Sequence, residues 1–411
     1  NNKNHPPQKK IQLVKNLRTL LLLALIQTVV FALHAQTNIG ADDPNIQYIG
    51  RFDMTTPTAP GFDWSDSTIR AKFQGTSCSV KLDGPSKYFD VFIDGVKTGS
   101  ITNASSGLQT FQVASGLSDT VHSISLCRRV EASAGKNTFQ GFVLDNGKTL
   151  VAPGTAPGRR IAFIGDSYTC GYGDEAAFGT PFTYATENAC INYAAQMASH
   201  YNANCMVTAW SGKGMVRNYG DTNQTSPDPM PTLYPRTCGS VTNNDYAFTW
   251  QPDVVVIALG INDFSTTPYP SQAQYVGGYS NFVKTVRSQY PNADILCTYL
   301  SSMNTIASNY IATVASTSGD SKVHFANVSY NLIYTNDYGA DYHPNATGQT
   351  KIANAFIPVF DSIMGTNWGN STNSSSASTT VNVNFGSTLA SMPAYGLGVG
   401  CSIYDYGMTA S

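Results

Sequence analysis

Five short apolar runs, at residues 160–164, 204–209, 253–259, 294–300 and 323–328, alternate with helix-compatible stretches at 189–201, 272–290, 306–315 and 347–363. Apolar runs without polar alternation read as strands covered on both faces. Strands that alternate with helices imply a parallel sheet joined by right-handed crossovers. The expected fold of residues 159–366 is therefore α/β, with helices on both faces of the sheet. In such sheets the chemistry gathers at the carboxyl ends of the strands.

Upstream the pattern differs. Runs at 68–73, 78–82, 88–93, 110–113, 120–126 and 137–144 are short and alternate in polarity, with Asp83-Gly84, Asp94-Gly95 and Asn146-Gly147 as turn signals. This spacing predicts a β-sandwich over residues 46–150. A Pro/Gly joint at 151–158 separates the two regions. Residues 367–384 are rich in Ser, Asn and Thr and read as a linker. Residues 385–411 resume apolar and aromatic content and read as the truncated start of a further domain.

At the N-terminus, Lys3, Lys9, Lys10, Lys15 and Arg18 precede an apolar run from Leu20, and Leu33-His34-Ala35 offers an imperfect cleavage site. Residues 1–35 read as a secretory signal peptide. Gln27, Thr28 and His34 interrupt the run, which argues against a membrane anchor. Removing it takes away five Lys/Arg and no acid, so the formal charge moves from −2 to −7. Nucleic acid is not an expected partner of so acidic a chain. The product is expected to be extracellular, free of the membrane and monomeric. Some of the eight cysteines should then form disulfides. Cys78 with Cys127 would staple the sandwich, Cys170, Cys190 and Cys238 lie near the candidate site, and Cys205 and Cys297 sit in strand-like runs as candidate buried thiols. No Cys-x-x-Cys pair occurs, so structural zinc is not expected.

Four segments carry chemistry. Gly165-Asp166-Ser167-Tyr168-Thr169, Ser211-Gly212-Lys213-Gly214 and Gly260-Ile261-Asn262-Asp263 each follow an apolar run; Asp341-Tyr342-His343-Pro344 precedes the last helix. Ser167 is a candidate nucleophile at a helix start, where its own amide can donate to an oxyanion. Gly212 can bring a backbone amide close, with Gly214 as the nearby alternative, and Asn262 can offer a side-chain amide. His343 is the candidate base, and Asp341 would fix its tautomer. Asp166 and Asp263 read as turn and cap residues. Trp210 and Tyr342 are candidate sugar-stacking residues, with core packing as the other reading of Trp210. The Gly-x-Ser-x-Gly elbow of lipases is absent.

The four segments resemble blocks I, II, III and V of the SGNH hydrolases, in residue type and in order. The closer resemblance is to carbohydrate esterase family 2, carried by Ile49-Gly50-Arg51-Phe52, Val91-Phe92-Ile93-Asp94-Gly95, the extended segment from Gly165 to Gly173, and Ser211 to Asn218. It covers roughly residues 46–366. It implies a three-layer α/β/α SGNH-hydrolase domain with a flavodoxin-like parallel sheet, preceded by a jelly-roll β-sandwich. It also implies removal of acetyl groups from plant cell-wall polysaccharides such as xylan or glucomannan, by a Ser167–His343–Asp341 acyl-enzyme mechanism. Gly212, Asn262 and the Ser167 amide would form the oxyanion hole. Some members of that family lack the acid of the triad. No metal or organic cofactor is implied. A carbohydrate-binding module without catalysis, and a lysophospholipase or thioesterase on the same fold, are the competing readings. The polysaccharide, the acetyl position and the disulfide map are not written in the sequence.

Overall fold

In the computed structural model, residues 36–154, 157–366 and 368 are described. The expected signal peptide, the tail, and the linker apart from Trp368 lie outside them. The described residues belong to one compact unit.

The N-terminal lobe is built from β1 (Thr37–Ile39), β2 (Gln47–Ile49), β3 (Gly61–Phe62), β4 (Thr68–Gly75), β5 (Cys78–Asp83), β6 (Lys87–Ile93), β7 (Val96–Asn103), β8 (Gln109–Ala114), β9 (Thr120–Arg128), β10 (Asn137–Leu144) and β11 (Leu150–Val151). They make two antiparallel sheets, ordered β1-β10-β5-β8 with β3 on β10, and β11-β4-β9-β6-β7 with β2 on β4. The alternation expected of a half-buried strand is clear in β5, whose even positions Val80 and Leu82 are fully buried. With Phe62, Phe73, Phe89, Leu126, Phe139 and Phe142 they fill the core between the sheets. β7 has no such alternation. Its first five residues are exposed on the sheet edge, so periodicity gave no sign of it.

The second lobe carries β12 (Arg159–Gly165), β13 (Ala203–Ala209), β14 (Val254–Ala258), β15 (Asp294–Leu300) and β16 (Val323–Val328). All pair in parallel, in the order β13-β12-β14-β15-β16. β14 lies inside the sheet with all five residues buried, which is why its sequence is a pure apolar run. The helices are α1 (Ser167–Cys170), α2 (Tyr193–His200), α3 (Met230–Leu233), α4 (Gln272–Gln289), α5 (Thr305–Thr317) and α6 (Ala346–Met364). α2 packs on α6, and α4 on α5. A Ser271/Gln274 capping box starts α4. Asn345 caps α6, accepting from the Thr347 and Gly348 amides. Sandwich plus parallel-sheet α/β domain is the architecture expected from the sequence.

The lobes share a core. Trp64 and Ala132 of the sandwich are fully buried within the hydrophobic cluster of the α/β lobe. Trp210 stands edge-on to Trp64, with ring centroids 6.3 Å apart. The Asp63 carboxylate accepts from the Gly239 and Ser240 amides at 2.8 and 2.9 Å. Arg51, fully buried, donates to the Tyr234 and Arg236 carbonyls and faces the rings of Tyr234, Tyr246 and Phe248.

The disulfide is not the one expected. Cys127 pairs with Cys190, so the bond joins β9 to the α/β lobe instead of closing the sandwich on itself. Cys78 is a buried free thiol, as are Cys170, Cys205, Cys238 and Cys297. β9 runs along the seam, and the chain after α1 returns there: the Ala189 amide donates to the Arg129 carbonyl at 2.8 Å. The bond closes a 63-residue separation, for which loop entropy gives about 4 kcal/mol. Replacing both Cys127 and Cys190 with Ser should therefore cost roughly 2–4 kcal/mol in urea unfolding. An unchanged midpoint would show that the docked lobes need no covalent tie.

Candidate active site

Main-chain register assembles the site. Gly165, the last residue of β12, lies opposite Ala209 of β13 and Ala258 of β14. The chain then leaves the sheet edge at three adjacent points and delivers Ser167, Gly212 and Asn262. β12 lies between the strands that follow it, at the reversal of strand order where open α/β sheets bind their ligands.

Ser167 opens α1 and is buried. Asp166 caps the helix by accepting from the Tyr168 amide at 3.2 Å. The hydroxyl of Ser167 lies 2.8 Å from His343 Nε2. His343 Nδ1 donates to the main-chain carbonyl of Asp341 at 3.1 Å, which leaves Nε2 as the acceptor for the serine proton. Asp341 and Tyr342 both have positive φ, 44° and 60°, and the His343 amide returns to the Ala340 carbonyl at 2.8 Å. This tight turn aims the carbonyl at the imidazole.

The Asp341 carboxylate therefore does not meet the base as the triad expectation required. Its Oδ2 accepts from the Tyr172 hydroxyl at 2.9 Å and the Phe182 amide at 3.3 Å. The main chain already occupies Nδ1, and the turn carries the side chain outward. Tyr172, which sequence reasoning did not single out, lies against the imidazole with centroids 4.2 Å apart and stacks on Phe182 at 3.9 Å. Gln349, also not singled out, couples the histidine side to the serine side. Its side-chain amide donates to the Tyr168 carbonyl and to Asp174, both at 3.0 Å, and its oxygen accepts from the Tyr193 amide.

Two glycines compete for the second block, and the geometry separates them. Gly212 has φ +77°, and a Cβ there would meet nothing within 4 Å. Trp210 to Lys213 form a turn closed by Lys213 N to Trp210 O at 3.2 Å. Gly214 is a packing residue, since a Cβ would lie 1.9 Å from the Arg217 carbonyl, and its amide is spent on Asn218. Asn262 Nδ2 donates to the Lys213 carbonyl at 2.8 Å, which seats it beside that turn and leaves its second N–H. Among the described residues the amides of Ser167 and Gly212 have no acceptor. Among the described residues three N–H groups are thus left unspent in the loops that follow adjacent strand ends.

Asp263 does more than cap. Its carboxylate accepts from the amides of Met215, Val216 and Arg217 at 2.8, 2.8 and 2.9 Å. Burial pushes it up to about 6 against those three hydrogen bonds. Burial also raises Asp166, to about 7, with the Asp263 charge adding to the shift. Trp210 is half-buried, packing against the core and edge-on to Trp64. Tyr342 is 58% exposed, parallel to Tyr334 with centroids 6.0 Å apart and near Phe178. Tyr219, 63% exposed, flanks the other side, its amide on the Gly212 carbonyl.

Among the described residues, two trios bring metal-ligand atom types within 4.8 Å. In Asp66, Cys127 and Cys190 both sulfurs are consumed by the disulfide. Glu131, Cys170 and Glu187 are buried behind α1; neither trio contains Ser167 or His343. No helix among the described residues is long and apolar enough to cross a membrane.

Residues 48–153 match the carbohydrate esterase 2 N-terminal family, and residues 163–351 the GDSL-like lipase/acylhydrolase family. An acetylxylan esterase / glucomannan deacetylase of Cellvibrio japonicus is 30% identical over 73% of this chain and 85% of its own length. The chain belongs to carbohydrate esterase family 2. The cellulase/esterase CelE of Acetivibrio thermocellus is 37% identical over 74% of the chain, which spans only 38% of CelE. A family two carbohydrate esterase from Clostridium thermocellum, solved in complex with cellohexaose, superposes with a TM-score of 0.72 at 32% identity. The match covers 79% of this chain and 99% of that one. Relatives in this family are carbohydrate esterases, and the two lobes here are the family's architecture.

Burial lowers the His343 pKa below the usual 6.5, while its main-chain hydrogen bonds pull the other way. The base is neutral, hence competent, above that lowered pKa. kcat/KM for an aryl acetate should rise with pH and level off with an inflection below 6.5; an inflection above 7 would contradict it. Because a carbonyl orients the imidazole, Asp341→Asn should cost less than about tenfold in kcat, against roughly 10⁴ for a triad acid. Steady-state kinetics distinguish the two.

Proposed function

We propose that this protein is a secreted esterase that removes O-acetyl groups from plant cell-wall polysaccharide, xylan or glucomannan, through a serine acyl-enzyme. The observation that carries the reading is the 2.8 Å contact between Ser167 Oγ and His343 Nε2, with the free amides of Ser167 and Gly212 and the Asn262 side chain at the same sheet edge. A serine, a neutral base and preorganised donors are the parts that acyl transfer needs.

Ser167 attacks the acetyl carbonyl as His343 takes its proton. The oxyanion is held by the three N–H groups, and His343 returns the proton to the sugar oxygen as it leaves, making it a hydroxyl. Water, activated by the same imidazole, then releases acetate and regenerates the serine. Asp341 serves twice: its carbonyl fixes the tautomer, and its carboxylate holds Tyr172 against the ring. Tyr342, Tyr334 and Tyr219 offer flat apolar faces for sugar C–H surfaces on either side of the serine. The Cellvibrio relative, an acetylxylan esterase / glucomannan deacetylase, supports the substrate class. The cellohexaose complex of the Clostridium protein supports a second property, binding of a β-1,4-glucan chain.

Ser167→Ala should lower kcat by about 10⁶ while the fold survives, and a serine-directed phosphonate should label Ser167 alone. A variant that kept a tenth of the acetate release would end the mechanism. Asn262→Ala should cost about 10²–10³ in kcat with KM little changed. Acetate release from acetylated xylan compared with acetylated glucomannan identifies the preferred polymer. Release from neither, with activity on aryl acetates intact, would overturn the substrate class.

A further inference from the structure

The tip of the oxyanion turn stands in open space, yet an oxyanion donor must be held to within a fraction of an ångström. Its support comes from behind and from the other lobe. Glu131, in the segment after β9, is buried, and its Oε2 accepts from the Ser211 amide at 2.7 Å. Ser211 is the first central residue of the Trp210–Lys213 turn, and the next amide along the chain is the free one of Gly212. Within the turn, the Trp210 amide is held by the Gly165 carbonyl and the Lys213 amide by Trp210 itself. Glu131 is therefore the acceptor that fixes the turn's centre.

Its carboxylate is itself fixed. Oε1 accepts from the Ser133 hydroxyl, and the main-chain carbonyl from Arg128 Nη2 at 3.3 Å. Arg128 is fully buried and spends its hydrogen bonds on Asp63 O, Val130 O, Asn137 Oδ1, Glu131 O and Gly135 O, all neutral oxygens. The carboxylates whose charge acts on it are those of Asp63 and Glu187. Glu187, fully buried, faces Glu131 and Cys170 within 4.8 Å. Cys170 ends the helix that Ser167 begins. One carboxylate from the sandwich so touches the surroundings of both the nucleophile helix and the oxyanion turn.

We infer that Glu131 is a positioning residue for deacylation chemistry: the β-sandwich reaches into the site through this carboxylate and holds the Gly212 amide in register with Ser167. The inference rests on the serine reading above. It gives the sandwich a part in the chemical step, beyond walling the cleft.

Glu131→Ala should lower kcat on a small aryl acetate by about 10–10², less than the 10²–10³ of losing a donor outright, with KM within about twofold. Glu131→Asp, which keeps a carboxylate but withdraws its oxygens by one methylene, should fold and lose about tenfold. Glu131→Gln keeps an acceptor and should recover most of the loss. Inactivation by a phosphonate, whose oxygen occupies the oxyanion hole, should slow in the same order. An Asp variant with wild-type kcat and inactivation rate, or effects confined to KM, would overturn the assignment. So would a chelator-sensitive kcat restored by zinc, since Glu131, Cys170 and Glu187 would then be acting as ligands. Ser167→Ala is run alongside: retained activity there defeats the serine reading, whereas a dead Ser167→Ala with normal Glu131 variants defeats this inference alone.

Discussion

The hydrogen bonds that keep Gly165 level with Ala209 and Ala258 are what the site depends on. They place three chain exits side by side at the edge of a sheet buried on both faces. The catalytic groups then need only short local structure to reach one another. In a parallel sheet a slip of one strand by a single residue would turn its side chains to the opposite face. Register and core packing are therefore one constraint, and the fully buried β14 enforces both.

Above that edge, buried carboxylates hold loops by their amides. Asp263 gathers three amides of the segment after Gly214, Asp63 gathers two across the lobe seam, and Glu131 takes one in the oxyanion turn. A buried carboxylate is costly unless hydrogen-bonded, and backbone amides are donors that a side-chain substitution does not remove. The loops thereby gain fixed geometry without regular secondary structure. His343 follows the same logic with the roles exchanged, a backbone carbonyl orienting a side chain.

How much of this was legible depended on what each residue answers to. The parallel sheet was readable because strands buried on both faces leave apolar runs, and β14 and β15 fall where those runs do. Ser167, Gly212, Asn262 and His343 were readable because acyl transfer asks for those groups in those local settings. Asp341 misled because Asp-x-His says that a carboxylate is near in sequence, while two positive φ angles turn it away. Tyr172 was legible only as an aromatic inside the Gly165–Gly173 segment, and Gln349 and Glu131 left no local signal; their roles exist only where distant segments meet. Cys127 was paired with the wrong partner for the same reason, as its true partner lies across the seam.

That bond has a bearing on how the molecule comes into being. Cys127 is made before any of the α/β lobe, and its partner arrives only after β12 and α1. A correct oxidation can occur only once the two lobes have found each other, because only docking brings the sulfurs together. The remaining described thiols are all buried in the finished protein. Wrong pairings among these cysteines are open only while the chain is unfolded, so the order of their oxidation reports the order of assembly.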